Sequence, residues 1–239
     1  MKRMYITGMT LLTMAVLPTT SMAQDKVETN IGADLVSGYI WRGQDLGNVS
    51  IQPSVSVSYK GFSLSGWGSV GIDKEDTKEF DLTLGYSTGG FSVSVTDYWF
   101  NNGPGYFHYG AHNTSHVFEA QIGYDFGVLA VNWYTNFAGA DHKINGERAY
   151  SSYFSVAAPF KLGGLNWMAE IGATPWENNF YNYNAEETYN GVSGFEVINI
   201  SLGASKEIKI TDSYSLPIFA QAAWNPATEG AYFVFGVSF

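Results

Sequence analysis

The chain has 239 residues, no cysteine and a formal charge of −10, from 12 Lys and Arg against 22 Asp and Glu. That acidity repels nucleic acid and offers no basic stripe to bind it, and without cysteine neither disulfides nor thiolate metal sites contribute. Charged residues are only 14% and aromatics 16%, against about 25% charged in an ordinary domain, so the Lys and Glu coat of a soluble protein is missing.

Residues 1–23 have the layout of an export signal. Lys2 and Arg3 form a basic start, Met4 to Leu17 an apolar stretch, and Ser21-Met22-Ala23 a small-x-small cleavage site before Gln24. The stretch is shorter than the roughly 20 apolar residues of a spanning helix, so cleavage is expected. Residues 24–239 then form one domain, with 10 basic and 22 acidic side chains. No later run reaches the about 18 apolar residues of a membrane helix.

From Ile31 onward the dominant pattern is alternation with period two, the mark of strands with two unlike faces. A first strand is predicted over Ile31 to Arg42, with Leu35, Tyr39 and Trp41 on the apolar face and Asp34 and Arg42 on the other. A second runs from Val49 to Tyr59, and its Pro53 predicts a bulge. Lys60-Gly61 turns into a third, Phe62 to Ile72; a fourth, Glu79 to Ser87, sets Phe80, Leu82 and Leu84 against Glu79, Asp81 and Thr83. Gly89-Gly90 starts a fifth at Phe91, where continued parity would place Asp97 on the apolar face, so a bulge or the end of the membrane zone is expected near Thr96.

After a loop at 101–113, the sixth strand opposes Phe118 and Ile122 to Glu119 and Gln121, and the seventh covers Leu129 to Phe137. The eighth is Ala149 to Phe160 and the ninth starts at Leu165, with Glu170 on its polar face. The longest loop, 175–191, carries Trp176, Phe180, Tyr181, Tyr183 and Tyr189. The tenth strand spans about Phe195 to Ile208 with Ile198 and Ile200 on the apolar side; the eleventh is Tyr214 to Trp224; the twelfth is the tail AYFVFGVSF, Ala231 to Phe239.

Twelve strands, joined alternately by short turns and generally longer loops, predict an all-β, antiparallel up-and-down transmembrane barrel with long external loops and short periplasmic turns. Phe233, Phe235, Val237 and Phe239 would face lipid, and this tail resembles the closing strand of bacterial outer-membrane barrels. A soluble sandwich or lipocalin-like barrel also alternates, but it turns its apolar residues inward and exposes charge. Here the polar face is Ser, Gly, Asn and Gln with single acids, which suits a wet lumen.

The stretch LVSGYIWRGQDLG, Leu35 to Gly47, supplies Ser37, Tyr39, Trp41, Arg42 and Gly43 of an S-x-Y-x-aromatic-R-G motif. It resembles the start of the TorF-like porin family of Gram-negative outer membranes, also called Gcw_chp. Trp67-Gly68-Ser69, Glu79-Phe80-Asp81 and Gly85-Tyr86 are similar to later pieces of that family, and DLGNVSIQPS looks like its Bacteroidetes-type members. The resemblance covers the first hundred residues best and implies an outer-membrane barrel with pore activity.

Arg42 is the one Lys or Arg expected on an inward strand face above the periplasmic turns. Its planar fork seeks carboxylates, and Asp34, Asp81, Glu119 and Glu170 are the inward candidates. The set reads either as an ion-pair network bracing the lumen or as a charged constriction, and its acidic excess favours small polar or cationic solutes. Trp176, Tyr181 and Tyr183 read as membrane girdle. His108, His112 and His116 read as solvated loop histidines rather than a metal site. A lipid hydrolase built on outward His116 is the enzymatic alternative, and it lacks a serine at that height; a closed structural or ligand-binding barrel is the other. No catalytic residue, metal or cofactor is assigned. The expected partners are outer-membrane lipid and solute, with oligomeric state open.

Overall fold

The computed structural model describes residues 26–239 except 75, 77, 111, 112, 144, 179 and 182–193. The export signal, His112, Tyr183 and Tyr189 therefore lie outside the described residues. Among the described residues fourteen strands form: β1 (Glu28–Val36), β2 (Tyr39–Trp41), β3 (Gln44–Gly47), β4 (Ser50–Tyr59), β5 (Phe62–Gly71), β6 (Lys78–Thr88) and β7 (Phe91–Phe100), then β8 (His116–Asp125), β9 (Ala130–Gly139), β10 (Ser152–Leu162), β11 (Leu165–Thr174), β12 (Glu196–Lys209), β13 (Ser215–Asn225) and β14 (Gly230–Ser238).

Twelve of them close an antiparallel barrel, β1 followed by β4 through β14, with β14 returning to β1. Asp34 faces Ser238, Leu35 faces Val237 and Val36 faces Gly236 at the seam. Ala33 and Phe239 exchange backbone hydrogen bonds of 3.2 and 3.0 Å, so the terminal aromatic is built into the ladder. Two-residue turns with both residues at positive φ, Lys60-Gly61, Gly89-Gly90 and Gly163-Gly164, join strands at one end; this geometry matches the right-handed twist of the strands it connects. The longer loops gather at the other end.

Burial is inverted relative to a soluble barrel. On β6, Phe80, Leu82 and Leu84 are 39, 40 and 60% exposed, whereas Glu79, Asp81 and Thr83 are 6% or less. On β14, Phe233 and Phe235 are exposed and Val234 is buried. The outward faces of the wall strands are thus apolar and exposed, and the inward faces polar and buried.

Four local expectations are corrected. The first strand ends at Val36, and Tyr39 to Gly47 form a separate hairpin, β2 and β3, folded into the barrel; Trp41 faces the lumen instead of lipid, and the seam runs from Ala33 to Ser37. Pro53 makes no bulge, since Ile51 with Val70 and Ser54 with Trp67 keep one register across it. β7 runs unbroken through Thr96, which excludes the bulge of the two alternatives there, and Asp97 keeps its place on the outer face. The register shift instead lies between β11 and β12 at Gly172/Ala173, and it turns Ile198 into the lumen, where it is fully buried. A second shift separates Phe118 from Glu119. Bulges re-aim side chains, and these two border the lumen cluster described next.

Candidate functional site

The β2–β3 hairpin turns at Arg42-Gly43, with φ of 50° and 77°. Glycine is required at 43 twice over: for that φ, and because a Cβ would run into the Ile198 carbonyl oxygen. Asn225 at the end of β13 donates to the Gly43 carbonyl at 3.0 Å. On the opposite flank Tyr39 donates to Glu79 of β6 at 2.9 Å and packs on Trp67 of β5. The hairpin thus crosses the lumen and is held at both walls.

Its tip delivers Arg42 to β8. Nη1 and Nη2 donate to the two carboxylate oxygens of Glu119 at 2.6 and 2.9 Å. Tyr98 of β7 donates to the same carboxylate at 2.9 Å and Tyr181 at 3.2 Å, while Nη1 also donates to the Tyr181 hydroxyl. The guanidinium carbon lies 3.9 Å from the ring centre of Tyr134, 4.3 Å from Trp41, 4.8 Å from Tyr153 and 5.8 Å from Tyr181. Cation–π contacts of this kind contribute about 2 kcal/mol or more when desolvated. Removing one member of a buried ion pair costs about 3–5 kcal/mol, so charge and cage hold each other in place.

Tyr181 reaches the site from the loop after β11. Asn178 Oδ1 accepts from the backbone amides of Phe180 and Tyr181 at 3.1 and 2.8 Å, and its Nδ2 donates to Thr174 and to the Trp176 carbonyl. That Asx-type turn points Tyr181 inward, against the expectation that it belongs to the girdle. Trp176 does join the outer wall, packing on Trp133.

Of the four expected carboxylates, Glu119 is bonded to Arg42. Glu170 stands behind the cage, accepting from Tyr153 at 2.6 Å and from Asn199 at 3.1 Å. Asp81 lies on β6 two residues from Glu79, the acid that binds Tyr39. Asp34 is buried on β1 beside Gln52 and Ser238. Asp34, Glu79, Asp81, Glu119 and Glu170 are thus five buried carboxylates of the inner wall, and Glu119 is the one bonded to the guanidinium. Tyr98, Tyr134 and Tyr153 were not among the expected site residues, and Tyr181 was expected in the girdle.

Toward the short-turn end the wall changes to half-buried serines: Ser54, Ser56 and Ser58 of β4 oppose Trp67, Ser65 and Ser63 of β5. A cavity of about 1110 Å³ lies elsewhere, lined by Thr135, Lys143, Arg148, Tyr150, Trp176 and Asn178 among others, and contains none of the lumen acids.

On the outer wall His116 is fully buried, which corrects its reading as a solvated loop residue. Its Nδ1 meets Asp97 at 2.7 Å, its Nε2 meets the Tyr106 carbonyl at 2.6 Å, and Tyr109 stacks on the ring at 4.1 Å. Tyr106 and Tyr109 are thereby pinned over the barrel wall. A backbone carbonyl occupies the place where a hydrolase would carry its nucleophile. His108 is an exposed loop residue, and no cluster of three or more His, Cys, Asp or Glu able to hold a metal occurs among the described residues. No family model matches the chain, and no curated protein matches it.

Proposed function

We propose that the chain is an exported outer-membrane β-barrel that acts as a narrow, gated pore for small polar or cationic solutes, with the Arg42 hairpin as its gate. The observation that carries this reading is the combination of an apolar outer wall with a polar lumen crossed by one hairpin. The excess of inward carboxylates disfavours anions. The Ser37 to Gly43 motif supports kinship with TorF-like porins as a divergent relative.

Localisation and transport are tested together. Full-length protein expressed in a Gram-negative host is expected in the outer-membrane fraction with its first 23 residues removed. Liposomes containing it should be entered by small cations and neutral sugars faster than by anions of equal size. Recovery in the soluble periplasm would overturn the membrane reading. A second reading, a non-conducting barrel that is structural or binds a ligand, draws on the aromatic filling around Arg42, and impermeable liposomes in every variant would favour it.

A further inference from the structure

We infer that the cage around Arg42 is a recognition site for guanidinium-bearing solutes, with Arg42 as its tethered occupant, and that such a solute releases the hairpin by taking its place. The consequence for transport rests on the pore reading; binding does not.

The cage belongs mostly to the wall and not to the hairpin. Glu119, Tyr134 and Tyr153 come from the consecutive barrel strands β8, β9 and β10, and Tyr98 of β7 orients the carboxylate. The pieces are thus set by the barrel ladder whether the hairpin is docked or not. What they grip is only the head of the side chain. Both terminal nitrogens of Arg42 bond to Glu119, while the buried Nε, through which the head joins its chain, makes no hydrogen bond. A free guanidinium reproduces the two-point contact in full and loses nothing by lacking the attachment. The planar fork and the ring faces at 3.9 and 4.8 Å also discriminate by shape: a compact ammonium has charge without the fork.

Arg42 holds its place by tethering, at a turn residue whose φ of 50° is sparsely populated by residues other than glycine. Even a flexible tether gives an effective concentration in the millimolar range, and the hairpin is further held by Asn225 on the Gly43 carbonyl and Tyr39 on Glu79, so a free competitor acts at or above that scale.

The chain has no cysteine, so a single nitroxide at Asp45→Cys, an exposed hairpin position, reports docking in the refolded full-length barrel. Guanidinium chloride is expected to mobilise the label with a midpoint in the range of about 1–50 mM, and methylammonium chloride at equal ionic strength to leave it docked. In an Arg42→Ala background, guanidinium should bind about tenfold more tightly, because no internal competitor remains. Tyr134→Leu should weaken that binding and Tyr134→Phe should largely keep it, since the guanidinium lies over the Tyr134 ring face. Guanidinium that fails to bind Arg42→Ala, or binds it yet never mobilises the wild-type hairpin, overturns the inference. If the label moves but no variant conducts, the pore reading fails and the site stands; if Arg42→Ala conducts but binds no guanidinium, the site fails and the pore stands.

Discussion

Arg42 and Glu119 are 77 residues apart in the chain and joined by two parallel hydrogen bonds of 2.6 and 2.9 Å inside the barrel. One partner rides on a two-residue turn and the other on the wall strand β8. The pair therefore measures whether the hairpin is docked.

Glu119→Gln keeps the shape and removes the charge. Leaving the Arg42 guanidinium buried without its counter-charge is expected to cost about 3–5 kcal/mol in a single buried partner loss. Because Arg42 sits on a loop that can leave the lumen, much of that cost is avoided by undocking. Denaturant unfolding should thus show a smaller loss than this range, with limited proteolysis now cutting between Ser37 and Val49. Unaltered protease resistance would mean that the pair does not hold the hairpin.

Gly43→Ala should undock the tip without touching a charge. The added methyl meets the Ile198 carbonyl and sits at φ 77°, where a side chain is strained by roughly 1–3 kcal/mol. The same proteolysis pattern as Glu119→Gln is predicted, with barrel stability nearly unchanged.

The two faces of the wall should respond oppositely to charge. Leu84→Arg, on the exposed apolar face, is expected to destabilise the bilayer-refolded barrel by about 2–4 kcal/mol if near the midplane. Ser56→Arg, on the half-buried inner face, should be tolerated and shift ion selectivity toward anions. A soluble barrel would accept the Leu84 change readily.

Asp97→Asn or His116→Ala should free Tyr106 and Tyr109 from the wall. Loss of hydrogen bonds to a fully buried ring costs about 1–3 kcal/mol, read as a lowered unfolding midpoint and cleavage near Tyr106. Conductance should stay as in the parent, since the pair lies outside the lumen.

Alternation carried the fold because each wall strand has one lipid-like and one polar face, so the twelve strands and the closing role of Phe233 to Phe239 were legible by period two. The hairpin was not: residues 39–42 keep the alternation of the strand before them, and only the glycines at 38 and 43 hint that the chain has left the wall. Arg42 and Glu119 were legible as inward charges, but their pairing across six wall strands depends on barrel closure. Tyr181 was misplaced because a loop tyrosine reads the same whether it joins the girdle or folds inward; the Asn178 turn decides it. Ile198 was misplaced because a bulge leaves no mark in hydrophobic pattern.

Single-channel recording on refolded wild-type and Arg42→Ala protein in planar bilayers tests the gate most directly. The wild type should be closed or open only briefly, and Arg42→Ala should open for long periods with cation preference. Identical silence in both, in protein shown to be inserted, or a wild type already open to the same level, would contradict the assignment of the Arg42 hairpin as the gate.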